Sequence, residues 1–337
     1  MKSESTTIKD IALHLNISAS TVSRALNNHP EVSPQTRKAV LEAAKKLNYH
    51  PNAFAIGLVK NRTRTIGVLM PDITQPFYSS AISGIEDVAV NQGYYVMICQ
   101  SDESFSKEVN LLHMFNRYRV DGIIVCPATT TDSYQHLEEI VAHTSLVQFD
   151  RVIDSIASHK VVSDDYQGAY QAVSHLVKQG YQRIAHIAGP NQLSVSKNRM
   201  KGYIEALRDA GHPVNEQYIR HCSLTKEHKR QCASELLELK IPPDAIFTVN
   251  DPTAIEVMYV AKQKLLIIPE DIAIVGFDDQ AMTPYLDPAL TTVGQPSFAM
   301  GQTAARLLID QIETPVGVDL QYTTETFSTQ LVVRGSS

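Results

Sequence analysis

Two hydrophobic patterns follow one another along the chain. Near the N-terminus, apolar residues recur at i, i+3, i+4 and i+7, which places them on one face of a helix. They are Ile8, Ile11, Ala12 and Leu15, followed by Val22, Ala25 and Leu26. From Thr65 onward, apolar runs of strand length alternate with longer helical patterns. The sequence therefore predicts a small helical unit followed by a large α/β body.

The helical unit begins with two short helices joined by a tight turn. The first covers about residues 6–14, and Asn16 ends it. Ser18 is placed to cap the second helix, because a serine side chain accepts a hydrogen bond from a free backbone N–H at a helix start. This second helix extends to about Ala25 or Asn27. Two helices so connected predict a helix-turn-helix.

A third helix is predicted from Ser33 and Pro34, since serine favours the N-cap and proline the first helical position. The residues expected to face inward from it are Val40, Leu41, Ala44 and Leu47.

The second helix, within SASTVSRALNN, has an unusual outer face of small and hydroxyl-bearing side chains plus Arg24. Such a face suits the DNA major groove, where short side chains allow close approach, hydroxyls meet phosphates and arginine reads a base edge. A solvated helix in a small bundle would show the same residues. The pattern of this segment alone leaves both interpretations open.

The distribution of charge favours the first interpretation. Residues 1–64 contain ten Lys/Arg and four Asp/Glu, a net charge of +6, whereas residues 65–337 have a net charge of −12. An acidic body would be repelled by a polyanion, so a basic head on such a body indicates that the head is the part that meets one.

The predicted strands of the body are nearly continuous apolar runs. They lack the alternation of apolar and polar residues that half-exposed strands show, which is typical of buried parallel sheets. The strands and their flanks read TIGVLMP, YYVMICQ, GIIVCP, SLVQFD, KVVSDD, RIAHIAG, AIFTVND and IAIVGFDD. Two α/β lobes are predicted. No GxGxxG, GxxxxGK[ST], GxSxG or HExxH occurs, so the motifs do not support a nucleotide cofactor, an enzyme or a zinc protease. No cofactor is expected.

The remaining composition indicates a cytoplasmic protein. No stretch approaches the roughly 18 unbroken apolar residues of a membrane helix, and MKSESTTIKD lacks the apolar segment of a signal peptide. The four cysteines include no CxxC pair, so reduced thiols are expected. We expect no membrane association.

The N-terminal region closely resembles the LacI/GalR family of bacterial transcription regulators. The matching positions are Ile11-Ala12, Ser18, Thr21-Val22-Ser23-Arg24, Val32-Ser33, Thr36-Arg37, Ala43-Ala44, Leu47, Tyr49, Pro51-Asn52 and Thr65-Ile66-Gly67. The body resembles the periplasmic-binding-protein-like core of the same family, so the similarity covers nearly the whole chain. The resemblance implies a repressor of transcription that binds a pseudo-palindromic double-stranded DNA operator as a homodimer.

The resemblance also implies the domain organisation. An all-α helix-turn-helix headpiece occupies residues 1–50, a hinge helix or linker residues 51–64, and a two-lobed α/β core, which binds the effector and dimerises, residues 65–337. The first lobe then comprises about 65–162 and 293–321. The second lobe comprises about 163–290 and 322–337.

The family pattern places DNA contacts on the second helix and on the linker. It implies that Ala19 and Ser20 read bases at the start of the recognition helix, that Arg24 reads a base further along, and that Thr21 and Ser23 meet phosphates. Leu58 falls at the position that wedges into a central base step from the minor groove.

The linker departs from the family where a polar or basic pair is replaced by Ile56-Gly57. A glycine inside a helix costs about 1 kcal/mol relative to alanine, so a helix over residues 53–58 should be harder to order than usual. A plain flexible tether is the alternative interpretation.

Effector contacts are expected in the cleft between the lobes, at the carboxyl ends of the strands. The positions that match the family's ligand contacts are Phe77, Tyr78, Asp150, Arg199, Asn250, Asp278 and Gln295. Core packing is an equally good role for the aromatic pair. Asp251 and Asp279 are predicted to be simple helix caps.

A small molecule without charge, most simply a neutral sugar, is the expected effector. Asp150, Asp278 and Arg199 suit hydrogen bonds to hydroxyls better than binding of a phosphate or carboxylate. Where purine-type members of the family carry a second arginine, this chain has Leu193.

Other interpretations use the same residues. A sugar-transport receptor would share the body but not the basic head, and an enzyme could use the strand-end carboxylates as acid and base. A zinc site could be built from His221, Cys222, His228 and Cys232. In that set, His228 and Cys232 lie at i, i+4 on a predicted helix, but the resemblance implies no metal there.

Overall fold

The computed structural model describes residues 6–49, 62–223, 225–315, 317–318 and 320–337. These residues form two compact units, one up to Thr63 and the other from Arg64 to the C-terminus. The predicted hinge segment 53–58, with Gly57 and Leu58, lies outside the described residues.

The first unit contains the three predicted helices. They are α1 (Ile8–Leu15), α2 (Ala19–Leu26) and α3 (Pro34–Lys46). Ser18 accepts a hydrogen bond from the backbone N–H of Thr21 at 3.1 Å, and Ser33 does the same for Thr36 at 3.1 Å, so both predicted N-caps are confirmed. Asn16 ends α1 in the left-handed conformation, with φ 50°.

One residue of α3 was wrongly predicted to face inward. Leu41 is 52% exposed, while Val40, Ala43 and Ala44 are buried and Leu47 packs against them. These four lie at i, i+3, i+4 and i+7, and Leu41 falls off that stripe because each residue advances about 100° around a helix.

The first sheet of the second unit is parallel throughout. Its strands are β1 (Thr65–Met70), β2 (Tyr95–Gln100), β3 (Gly122–Val125), β4 (Ser145–Phe149), β5 (His159–Ser163) and β11 (Thr324–Phe327), in the order β11-β5-β4-β3-β1-β2. Helices α4 (Pro76–Asn91), α5 (Phe105–Tyr118), α6 (Gln135–Val141) and α11 (Ser297–Glu313) pack on it.

The second sheet is parallel except for its last strand. Its strands are β6 (Ile184–Ala188), β7 (Ile219–His221), β8 (Ala245–Thr248), β9 (Ala273–Asp278), β10 (Thr291–Gly294) and β12 (Gln330–Val332), in the order β12-β10-β9-β8-β6-β7, with β12 antiparallel to β10. Helices α7 (Asp165–Lys178), α8 (Ser194–Asp209), α9 (Lys226–Leu237) and α10 (Asp251–Gln263) belong to this lobe. Short 3₁₀ helices cover Glu216–Tyr218 and Thr283–Tyr285.

The chain passes between the sheets three times, but not where the sequence indicated. Strand β10, expected partly in the first lobe, pairs with β9 in the second sheet. Strand β11, expected in the second lobe, pairs with β5 in the first sheet, with Thr324 opposite Lys160. An open strand edge is satisfied by pairing, and β11 covers the edge of β5. The last crossing of the chain, from the first sheet to the second, therefore lies between Phe327 and Gln330.

Strand β2 also differs from the expectation of full burial. Tyr95 is 69% exposed and Ile98 is 43% exposed, because β2 forms one edge of the first sheet.

Helices α4 and α11 approach each other so closely that two glycines are required. A Cβ atom on Gly84 would lie 2.0 Å from the carbonyl oxygen of Phe298, and one on Gly301 would lie 2.0 Å from the carbonyl oxygen of Ala81. No real side chain tolerates such distances, so these helices pack backbone to backbone.

Within the described part of the chain, no helix combines the length and the hydropathy that crossing a bilayer needs.

Candidate functional site

The outer face of α2 presents the residues that the sequence singled out for DNA. Ala19 and Ser20 are exposed in its first turn, and Thr21 and Ser23 are half-buried further along. Arg24 is exposed and forms an ion pair with Glu31 at 3.4 Å.

The opposite face of α2 buries Val22 and Ala25 against the other two helices. The Arg24–Glu31 pair was missed by sequence reasoning. Both of its side chains are more than half exposed, and such pairs contribute little, so the guanidinium remains able to exchange partners.

In the second unit, all of the predicted effector contacts surround one cavity of about 160 Å³ between the two sheets. One water needs on the order of 10–15 Å³ in this measure, so the space corresponds to roughly ten waters, or one sugar-sized molecule. All of them except Arg199, which lies in the second turn of α8, are at or just past the carboxyl end of a strand or at the start of a helix, where open α/β sheets bind ligands.

The aromatic pair at the start of α4 serves both the core and the cavity. Phe77 and Tyr78 are each more than nine-tenths buried, with ring centroids 5.2 Å apart. The Tyr78 hydroxyl donates to Asp150 Oδ2 at 3.2 Å. Burial holds the pKa of Tyr78 well above its usual value, so the phenol stays protonated. Tyr78 therefore orients the carboxyl group of Asp150, the residue that follows β4.

Asp150 itself is buried in the left-handed conformation, with φ 62°. Burial raises the pKa of its carboxyl group, although the neighbouring Arg151 and Arg199 oppose this shift.

Arg199 on α8 is held from three sides. Its Nε and Nη2 atoms each lie 2.7 Å from Asp165 Oδ1, and Nη1 donates to the carbonyl oxygen of Val249. The guanidinium lies 3.7 Å from the centroid of the Phe277 ring. Burial raises the pKa of Asp165 to about 6 despite Arg199. Sequence reasoning missed Asp165, whose position at the start of α7 is its only signal.

Asp278 and Gln295 connect the second lobe to the end of β5. Gln295 Nε2 donates to Asp278 Oδ1 at 2.8 Å, and Ser163 Oγ donates to Gln295 Oε1 at 2.6 Å. Asp278 has φ 124°, a strained conformation for a residue with a side chain. Burial raises the pKa of Asp278 well above its usual range, and Arg199 opposes that shift.

Asn250 is a cap as well as a lining residue. Its Oδ1 accepts from the backbone N–H of Thr253 at 3.0 Å, which caps α10 and leaves the amide nitrogen to donate elsewhere. The prediction that Asp251 is a simple cap is wrong. Its buried carboxylate accepts from the Gln280 backbone N–H at 2.8 Å, and burial raises its pKa to about 7.

Asp279 is also not the predicted cap, because the 3₁₀ helix that follows it has Met282 at its N-cap and Asp279 instead accepts from Arg334 Nη2 at 2.7 Å.

A second buried arginine, Arg151, also lines the cavity, and the sequence did not indicate it. Arg151 holds Glu103 with two bonds, of 2.7 and 2.8 Å, and donates to the carbonyl oxygen of Pro127 at 3.1 Å. Burial by itself would raise the pKa of Glu103. The charge and hydrogen bonds of Arg151 act in the opposite direction, and the pKa of Glu103 lies below its usual value. The lining of the cavity also includes Asp72, Gln75, Leu193, Ser196 and Lys229.

The lobes also touch directly across the cleft. Gln192 Nε2 donates to the carbonyl oxygen of Thr129 at 2.7 Å, and the Val152 backbone N–H donates to Ser194 Oγ at 3.1 Å. These bonds hold the two lobes in their present orientation.

The residues considered for zinc have other surroundings. Cys222 and Cys232 are buried in the core of the second lobe, and His228 Nδ1 accepts from the Ser223 backbone N–H at 2.9 Å. Among the described residues, no group of three or more His, Cys, Asp or Glu side chains is placed to hold a metal.

Two family models match the chain in the same order as its two units. The description "bacterial regulatory proteins, lacI family" matches residues 7–52, and "periplasmic binding protein-like domain" matches residues 173–337. The repressor CytR of Escherichia coli K12 is 34% identical over 98% of this chain and 96% of its own length. The chain belongs to the LacI family. It is therefore a DNA-binding transcriptional regulator with a ligand-binding core.

Solved structures of this family agree with that assignment. The lac repressor dimer bound to operator and the anti-inducer ONPF has a TM-score of 0.85 and 25% identity, covering 99% of both chains. A LacI-family regulator from Enterococcus faecium with bound ribose has a TM-score of 0.71 and 30% identity over 81% of this chain and 98% of its own. The relatives are transcriptional regulators rather than enzymes.

Proposed function

We propose that the protein is a homodimeric repressor that binds a pseudo-palindromic operator in the bacterial cytoplasm and responds to a neutral sugar in the cleft. The observation that carries this proposal is the convergence of strand-end residues from both lobes on one cavity. Asp150 comes from the first lobe, and Arg199 and Asp278 come from the second. A ligand that touches all three stabilises one lobe orientation over others.

The pairing of the cleft's arginines supports a neutral ligand. Arg151 is neutralised by Glu103, and Arg199 by Asp165, each within 2.7 Å. Neither is free to balance a phosphate or carboxylate. The carboxyl groups of Asp150 and Asp278 remain, and they suit the hydroxyl groups of a sugar, which both donate and accept hydrogen bonds. The ribose in the structure of the Enterococcus faecium relative fits the same chemistry.

The transport-receptor alternative explains only the core. A sugar receptor would need the two lobes and the cleft, but it would have no use for a capped helix-turn-helix whose outer face carries Arg24.

Exposed apolar residues support a homodimer through the first lobe. Val90 at the end of α4 is 61% exposed, and Tyr95 and Ile98 on the edge strand β2 are also exposed. A second copy covering these side chains would remove them from water. A two-fold dimer also doubles the number of base contacts, which one head alone cannot supply at sufficient specificity.

A thermal-shift screen with and without operator DNA tests the proposed function. We expect a neutral monosaccharide or disaccharide to raise the melting temperature of the core and to change the affinity for the operator. If sugars leave both quantities unchanged while charged ligands alter them, the proposed effector class is wrong.

Replacing Arg24 by alanine should weaken specific operator binding by about 1–3 kcal/mol, because one bidentate base contact is lost. Binding to random DNA should change less, since phosphate contacts supply most of it. Titrations of wild type and Arg24→Ala on both DNAs give the comparison. Equal losses on both would show that Arg24 clamps the backbone instead.

For the linker, we propose that effector binding reaches the operator through ordering of segment 53–58, with Leu58 as the minor-groove wedge. Gly57→Ala should favour the helical state by up to about 1 kcal/mol. We therefore expect tighter operator binding and a smaller response to sugar, with sugar affinity of the core unchanged. Operator affinities of both proteins, with and without saturating sugar, test this. A variant that binds no tighter and responds fully would exclude the mechanism.

A further inference from the structure

Helix α9 buries one face against the core of the second lobe, and a lysine occupies the first position of that face. The buried residues of the helix are Lys229, Cys232, Ala233 and Leu236. They lie at i, i+3, i+4 and i+7, which is the stripe that normally carries apolar side chains. Lys229 is 7% exposed and lines the cleft between the lobes.

The ammonium group of Lys229 has no hydrogen bond or ion pair with any residue that the structure describes. Other basic groups near it are satisfied: Arg230 on the same helix donates to Glu256, and Arg199 is held by Asp165. Lysine is rarely buried unless paired, because taking a charge out of water is unfavourable. Because Lys229 lines the cavity and has no partner among the described residues, its ammonium is available to a group that enters the cavity.

The surroundings of Lys229 are acidic but not in contact with it. Burial lowers the pKa of Lys229, while Cys222, Glu256, Asp278 and Asp72 raise it through space. Cys222 supplies no thiolate, because its hydrogen bond with Cys232 and its burial raise the pKa of the thiol.

The nearby carboxylates are already engaged with other donors. Asp278 accepts from Gln295 at 2.8 Å, and Asp72 accepts from Thr74 and Gln75. Since no described group accepts from Lys229 Nζ, its acceptor comes from the cavity itself, either as a ligand oxygen or as water.

We propose that Lys229 is a specificity-determining contact of the effector site, donating a hydrogen bond to an oxygen of a neutral polyhydroxylated ligand. This inference rests on the proposed function, because it concerns the same cleft. Lysine only donates, whereas the carboxyl groups of Asp150 and Asp278, whose pKa values burial raises, accept hydrogen bonds and also donate when protonated. The ligand must then offer hydroxyl groups to the carboxylates and an acceptor oxygen to Lys229.

The charges of the lining do not favour an anionic ligand even with this lysine. Once Arg151 and Arg199 are paired, Lys229 is the cation left among the described residues of the lining, and it shares the cavity with Asp72, Asp150 and Asp278. A carboxylate or phosphate would lie beside these carboxyl groups, whereas a neutral oxygen would accept from the ammonium without adding charge.

Lys229→Met tests the proposal, because methionine keeps an unbranched side chain only one atom shorter and removes the charge. Calorimetry would use D-ribose, D-xylose, D-fructose, D-glucose, cellobiose and D-gluconate as probes on the full-length protein. For a neutral sugar that binds wild type, we expect the Kd of Lys229→Met to rise at least about tenfold, as for loss of a charged hydrogen bond. D-gluconate should bind neither protein.

The melting temperature without ligand separates a ligand contact from a structural role. Removing an unpaired buried charge should leave the melting temperature of Lys229→Met equal to or above that of wild type, whereas a structural lysine would lower it. Lys226→Met is the matched control, since Lys226 is exposed on the same helix, and it should change neither quantity.

Four results would overturn the proposal. A Lys229→Met protein that melts lower or fails to fold would show a structural role. Unchanged sugar affinity would remove Lys229 from the site while leaving the proposed function intact. A wild type that binds none of the neutral sugars would overturn both, and preferential binding of D-gluconate would overturn the ligand class.

Discussion

Replacing Arg199 by methionine is expected to produce the largest loss of both stability and ligand binding of any single change in the cleft. The substitution leaves Asp165 buried without its partner, and breaking a buried ion pair in this way destabilises by about 3–5 kcal/mol. It also removes the bond to the Val249 carbonyl oxygen and the stacking over Phe277. Urea unfolding gives the stability change, and calorimetry with the sugar gives the affinity.

A double variant distinguishes the lost pair from lost packing. In Asp165→Asn/Arg199→Met, no charge remains unpaired, so the double variant should be more stable than Arg199→Met alone. Arg208→Met is the matched control, because Arg208 is exposed on the same helix α8 and should change stability little. If the single and double variants are equally unstable, the ion pair is not what makes Arg199 important.

Gly301→Ala is expected to destabilise the first lobe by about 3 kcal/mol or more, the upper end of overpacking effects. The added Cβ would lie 2.0 Å from the Ala81 carbonyl oxygen, and this atom is backbone, so relief requires α4 and α11 to separate. Gly84→Ala should behave alike, since its Cβ meets the Phe298 carbonyl oxygen at the same distance. Urea unfolding of the full chain measures both.

The control for this prediction is a glycine with space around it. Gly211 has φ +73° and no atom within 4 Å of an added Cβ, so Gly211→Ala should show only the strain of the left-handed conformation, about 1–2 kcal/mol. Similar losses at Gly211 and Gly301 would mean that conformational strain, not helix contact, sets the effect.

Local signals in the sequence determined the helical head almost completely. Ser18 and Ser33 cap their helices as predicted, because an N-cap depends on a hydroxyl and on the backbone within three residues of it. Leu41 was misjudged because its burial depends on which stripe of α3 meets the other helices.

The gathering of several predicted effector contacts at one cavity was also readable from the sequence, since polar side chains at the ends of parallel strands gather at one edge of each sheet. Asp150, Asn250, Asp278 and Gln295 accordingly line one cavity. The strand ends could not show how each group is held, because the partners are distant in sequence: Asp165 holds Arg199 across 34 residues, and Glu103 holds Arg151 across 48.

The placement of β11 and of Lys229 was decided only by the tertiary structure. The residues of β11 would form a strand in either sheet, and the free edge of β5 settles the choice. Lys229 reads from sequence as one more solvated lysine of a polar helix, until the packing of α9 turns it into the cleft. Hydrophobic periodicity and caps are local properties, whereas edge pairing and burial of a charge depend on what the rest of the chain brings alongside.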